Sequence, residues 1–152
     1  MPHNSEAEQA ILGAMLIYPS AQDSVMDLNL VKEDFHMDIH KRIFSAMMYL
    51  KEMGKPIDPT TLIARLQDSE ELQLVGGIDY IVSLSDSALS SANVAYYIEM
   101  IQGKAHARRL IEAAEKIANE GFDGTLELDD LMDENNDRGI ETWYGADPTL
   151  AL

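Results

Sequence analysis

The 152-residue sequence contains no cysteine, one tryptophan, three phenylalanines and five prolines, and it is poor in basic side chains. Each shortage excludes something. Without cysteine there is no disulfide, no thiolate zinc ligand and no cysteine nucleophile, so the fold has to stand on packing alone. No run of about 18 uncharged apolar residues occurs, which argues against a membrane-spanning helix. The opening, Met1-Pro2-His3-Asn4-Ser5-Glu6, has neither the basic start nor the apolar stretch of a signal peptide. A soluble, cytoplasmic protein with no membrane partner is expected. The 11 basic against 27 acidic side chains leave a formal net charge of −16. Such a surface repels a phosphate backbone instead of releasing its counterions, so direct nucleic-acid binding is not expected.

What is present is enough for a real core: 46% of the residues are hydrophobic, in a chain of ordinary single-domain length. The charge is unevenly spread. Through Asn119 there are 17 acidic and 10 basic side chains (−7), and beyond it 10 acidic side chains and only Arg138 (−9). The first part reads as a compact body and the remainder as solvated chain.

Helical periodicity dominates, and no stretch shows sustained two-residue alternation between hairpin turns, so the fold class is all-α. Ser5 with Glu8 offers a capping box for a first helix carrying Ala7, Ile11, Ala14, Met15 and Tyr18. Pro19-Ser20 starts a short second helix through Leu28. A third spans about Asp38 to Met53, with Ile39, Ile43, Met47 and Leu50 on one face and Gly54 as its stop. Asp58 caps and Pro59 opens a fourth with Leu62, Ile63 and Leu66 inward. Gly76-Gly77 precedes a short fifth with Tyr80, Ile81 and Leu84. These pieces form a small globular head over residues 1–90.

From Ser91 to Glu120 a helix of about 30 residues is expected, roughly 45 Å long. Its stripe of Val94, Ile98, Ile101, Ala105, Ile111, Ala114 and Ile117 calls for a helical partner. Gly121-Phe122-Asp123-Gly124 supplies a turn, and Thr125 caps a returning helix with Leu128, Leu131 and Met132. The second arm is short or frayed, because Asp133-Glu134-Asn135-Asn136-Asp137-Arg138 stops supplying apolar residues. Residues 91–138 thus read as a helical hairpin and 139–152 as a flexible tail. A hairpin of two helices does not bury its own faces, so self-association or a partner protein is expected, with Val94, Ile98, Ile101 and Ala105 as the dimer seam.

Sites for chemistry are weakly supported. Asp133, Asn135 and Asp137 match the first positions of a calcium loop, but Arg138 stands where glycine is required and Tyr144 where a bidentate glutamate belongs; a solvated acidic tail is the preferred reading. His36 and His40 are spaced to share a helix face as metal ligands, but with no third histidine nearby, local packing or bonding is preferred. Glu70/Glu71 and Asp129/Asp130 are adjacent, so their side chains diverge and give no acid–base pair. No Gly-x-Ser-x-Gly elbow is present. No catalytic residue, metal or cofactor is expected. Arg108 and Arg109, with Lys104 and Lys116, form the densest basic cluster, which is read as pairing with acids on a neighbouring hairpin. The nine methionines are read as adaptable core filling, and the Trp143–Leu152 tail as disordered by default.

A set of motifs resembles a known family. Pro2-His3-Asn4-Ser5-Glu6-Ala7-Glu8-Gln9-Ala10-Ile11-Leu12-Gly13 is similar to the opening of the N-terminal domain of bacterial replicative DNA helicases of the DnaB type. The similarity continues in order through Glu33-Asp34-Phe35, His40-Lys41-Arg42-Ile43-Phe44, Pro56-Ile57-Asp58, Gly76-Gly77-Ile78-Asp79-Tyr80, Ser91-Ala92-Asn93-Val94 and Arg108-Arg109-Leu110-Ile111, covering about residues 2–131. The resemblance implies a head-plus-hairpin module that pairs through its hairpins, three pairs forming the collar of a hexameric helicase, and that docks the helicase-binding domain of a DnaG-type primase. It implies no chemistry in the domain itself. Tyr80, Ile111, Ile117, Arg108 and Arg109 are the expected contacts to primase or to a sister hairpin.

The sequence departs from a complete helicase of this family. It has no Gly-x-x-x-x-Gly-Lys-Ser/Thr phosphate loop; Gly103-Lys104-Ala105 lacks both the upstream glycine and the hydroxyl. Gly139-Ile140-Glu141-Thr142 faintly resembles the segment that opens the motor in that family. A non-catalytic collar domain is therefore expected. The alternative is a stand-alone collar mimic that binds and modulates or inhibits another replicative helicase.

Overall fold

A computed structural model describes residues 1, 3–88 and 93–123. Among these residues there are six α-helices, one 3-10 turn and no strand, as the periodicity predicts. The helices are α1 (Ser5–Ile17), α2 (Pro19–Asp27), α3 (Asp38–Glu52), α4 (Pro59–Asp68), α5 (Gly77–Asp86) and α6 (Val94–Asp123), and the 3-10 turn Lys32–Asp34 leads into α3. The return arm and the tail, with Thr125–Met132, Asp129/Asp130, the calcium-like loop and Trp143–Leu152, lie outside the described residues.

The chain divides into two compact units, residues 2–105 and a second containing 106–123. In the first, α1 is the central element. It packs against α2, α3 and α5, and Ala7, Ile11, Leu12, Ala14, Met15 and Leu16 are all buried. A helix surrounded on several sides has to be apolar around most of its circumference. Its cap is Asn4, one residue before the expected Ser5: the Asn4 side chain accepts from the Ala7 backbone N–H at 3.0 Å. That shift releases Glu8 from capping duty.

α1 meets α5 at unusually close range because Gly13 has no side chain there; a Cβ on Gly13 would stand 2.1 Å from the Leu84 carbonyl oxygen. α2, α3 and α4 end in the same way, with Asn29, Gly54 and Glu70 in left-handed conformation (φ 55°, 72° and 60°). Behind each, the next residue's N–H reaches back over a full turn: Leu30 to the Val25 carbonyl, Lys55 to Leu50 and Glu71 to Leu66. α4 opens as expected, with Asp58 accepting from the Thr61 N–H at 2.8 Å, Thr61 Oγ1 accepting from the Asp58 N–H at 3.0 Å, and Pro59 in the first turn.

The main departure concerns α6. Val94, Ile98, Ile101 and Ala105 are buried, and the first three join the same core as Ile11, Met15, Phe35, Ile81 and Leu84. The first twelve residues of α6 therefore complete the head, which runs to Ala105 and not to residue 90. Two polar links fasten this stretch: the Asn4 side-chain amide donates to Met100 Sδ at 3.1 Å, and the Gln102 amide donates to the Leu28 carbonyl at 2.9 Å. The residues expected as a dimer seam are thus covered within the chain itself. Five helices leave one wall of the core open, and burying Ile98 or Ile101 there is worth about 1.5–3 kcal/mol per side chain without any second molecule.

Candidate protein-interaction site

The most strongly organised polar feature of the head is buried. Glu8 sits on apolar α1 and is fully buried, as is His40 on α3. A carboxylate in such a place has to be met by donors. The Glu8 Oε2 accepts from the His36 backbone N–H at 2.8 Å, and Oε1 accepts from the Met37 N–H at 3.3 Å and from His40 Nδ1 at 2.7 Å. Burial on its own pushes the Glu8 pKa up; the bonds from His40, His36 and Met37 outweigh it, and the pKa is lowered. Glu8 is thus an anion that ties α1 to the start of α3.

The chain continues outward. His40 Nε2 lies 2.6 Å from the Tyr80 hydroxyl on α5. Because Nδ1 carries the proton given to Glu8, a neutral imidazole offers Nε2 as an acceptor, and the Tyr80 O–H donates to it. Burial raises the Tyr80 pKa, as does the Glu8 charge, while a bond from the Gln9 side chain lowers it; the balance is upward. Tyr80 is half-buried, with its hydroxyl engaged by His40. The His3 and His36 rings stack beside this assembly, with centroids 4.1 Å apart. No group of three or more metal-type side chains forms among the described residues, and both His40 nitrogens are engaged, in keeping with the preference for local bonding.

The carboxylate makes a testable contribution. Because the folded-state pKa of Glu8 lies below the usual 4.5, its stabilisation is complete above that value and is lost as the pH falls through the lower folded-state value. Glu8→Gln is expected to cost about 2 kcal/mol at pH 7. Urea titrations across pH should show the gap between native protein and variant closing toward acid; a gap independent of pH contradicts the anionic assignment.

In the second unit, α6 continues with a different surface. Beyond Ala105, Arg108 and Ala113 are buried while Glu112 is exposed. Ile111 and Ile117 are each 37% exposed, while Arg108 is buried and Arg109 exposed. Lys116 pairs with Glu120 on its own helix at 3.1 Å, instead of awaiting an acid on a neighbouring hairpin. Of the residues singled out in the sequence, Ile111, Ile117 and Arg109 present surface, Tyr80 presents part of a ring, and Val94, Ile98, Ile101 and Ala105 present none. No described helix is long and apolar enough to cross a membrane.

Sequence reading missed the Glu8–His40 pair. The signal was a carboxylate in the first turns of a helix apolar over most of its length, set against a histidine between Ile39 and Ile43.

The described residues form an all-helical head closed by the first part of a long sixth helix, the architecture expected of a replicative-helicase N-terminal module. The family comparison agrees: residues 1–103 match the DnaB-like helicase N terminal domain, and the chain belongs to that family. It is 39% identical over 140 residues to the replicative DNA helicase DnaB of Geobacillus stearothermophilus, covering 92% of this chain and 31% of that protein. It is 38% identical over 133 residues to the replicative DNA helicase DnaC of Bacillus subtilis (strain 168), covering 88% of this chain and 29% of that protein. The chain thus spans about a third of the length of these relatives. The crystal structure of the N-terminal domain of DnaB helicase from Mycobacterium tuberculosis superposes with a TM-score of 0.83 at 30% identity, over 90% of this chain and 96% of that one. A DnaB-like replicative helicase whose structure was described together with its interactions with primase shares the fold, with a TM-score of 0.75 at 24% identity, over 94% of this chain and 33% of that one.

Proposed function

We propose that the chain serves DNA replication as the collar domain of a replicative helicase, joining copies of itself and docking primase while contributing no chemistry of its own. The observation that carries this reading is the exposure of two large apolar side chains, Ile111 and Ile117, on a helix of a domain whose family is replicative helicases. An exposed isoleucine is ordinary alone; two on one helix are the kind of surface a partner covers. On the head, the partly exposed ring of Tyr80 is a separate contact. Self-association then uses α6 beyond Ala105, since the residues before it are committed to the head.

Replacing Ile111 and Ile117 together by alanine is expected to weaken binding of a primase helicase-binding domain at least tenfold, while the melting temperature moves by no more than about two degrees, as for surface substitutions in general. Calorimetric titration and thermal melting check the two halves. Unchanged affinity refutes the docking role, and a large loss of stability places both residues in a core.

A further inference from the structure

Tyr80 is held at two points. Its hydroxyl donates to His40 Nε2 at 2.6 Å, and His40 Nδ1 donates to Glu8 at 2.7 Å. At its other end the side chain lies over Gly76, where a Cβ would stand 2.9 Å from the Tyr80 Cβ. Gly76 itself has φ 104°, a conformation that side-chain-bearing residues rarely adopt. The ring and His40 lie nearly parallel, 14° apart with centroids at 6.1 Å. The exposed part of the ring therefore has little freedom left to lose when something covers it, and such loss is a main cost of association.

We propose that Glu8 and His40 are positioning residues for partner binding: by fixing the Tyr80 hydroxyl they set in advance the ring that the primase domain meets. Neither residue reaches the surface. Both act through Tyr80, and the inference rests on the reading of Tyr80 as a contact. The order of the bonds is fixed by the donor count. The Glu8 carboxylate takes the His40 Nδ1–H together with two backbone N–H groups, which in the neutral ring leaves Nε2 to accept from the Tyr80 hydroxyl. A rigid scaffold supporting a contact residue from behind is the arrangement by which binding sites keep their geometry.

The test measures the affinity of a primase helicase-binding domain for the full chain and its variants. Tyr80→Ala removes the contact and is expected to weaken binding at least tenfold. Tyr80→Phe keeps the ring and removes the bond, and is expected to weaken binding three- to fivefold. His40→Gln should do the same. The double variant His40→Gln/Tyr80→Phe should bind no more weakly than Tyr80→Phe alone, which already removes the bond to His40 together with the one from Gln9; losses that multiply indicate a general structural role and overturn the proposal. If Tyr80→Ala weakens binding but Tyr80→Phe does not, the positioning role falls and the contact reading stands. If Tyr80→Ala binds normally, the contact reading falls as well. Should His40→Gln not fold, nitrogen NMR of the native chain decides: His40 is expected as the Nδ1–H tautomer, shifting toward a mixture in Tyr80→Phe. The Nε2–H tautomer in the native chain, or a spectrum unmoved by Tyr80→Phe, overturns the proposal.

Discussion

Gly13→Ala is expected to lower the melting temperature of the head by roughly 10–20 °C, equivalent to about 3 kcal/mol. Two effects of opposite sign meet at this position. Alanine is a better helix former than glycine by about 1 kcal/mol in a helix interior. Against that, the new methyl would lie 2.1 Å from the Leu84 carbonyl oxygen and 3.1 Å from its carbon, both backbone atoms that no rotamer change moves aside. α1 and α5 would have to separate, loosening the packing around Ile11, Leu12, Ile81 and Leu84, all buried. The steric term wins. Gly103→Ala is the control: nothing lies within 4 Å of a Cβ there, so the propensity term acts alone and the variant should melt slightly higher. Thermal unfolding followed by circular dichroism separates the two, and an unharmed Gly13→Ala would show that α1 and α5 are further apart than described.

Ile98→Asp should leave the head unfolded at 25 °C. Ile98 is 0% exposed, so the substitution forfeits its apolar burial and places a carboxylate where no donor waits. Together these cost about 5 kcal/mol or more, comparable to the whole stability of an ordinary domain. The spectrum should lose helical signal at neutral pH, and Ile98→Ala should give the milder, measurable loss of a cavity. A folded but monomeric Ile98→Asp is the outcome a dimer seam demands, and it would place Ile98 between chains instead of in the core of the head.

These two positions mark how far the sequence could be read. Helices α2 to α5 were legible because their boundaries carry chemistry of their own: Pro19 and Pro59 at first turns, Asp58 as cap, Gly54 as stop. Family membership was legible from the order of short motifs. The address of the α6 stripe was not. Val94, Ile98, Ile101 and Ala105 have the spacing of a helix that packs against something, and that spacing is identical whether the something is another chain or the rest of the same one. Continuing the stripe to Ile111 bridged a six-residue gap across Arg108, and Ile111 beyond it is exposed. Glu8 was misread for a related reason: Ser5 and Glu8 fit a capping box by position, but Asn4 does the capping, and only the tertiary fold shows His40 and the turn at His36 gathered around the carboxylate.

The central place of α1 bears on how the chain is made. Synthesis delivers residues from the N-terminus at about 5–20 per second, so α1 leaves the ribosome before anything exists to surround it. Met100, which receives the amide of Asn4, lies 96 residues later, a delay of roughly 5–20 s. Over that interval α1 gains first α2, then α3 and then α5. The core is nevertheless incomplete until Val94, Ile98 and Ile101 arrive, and the nascent head is exposed to aggregation or chaperone capture until the first turns of α6 are made.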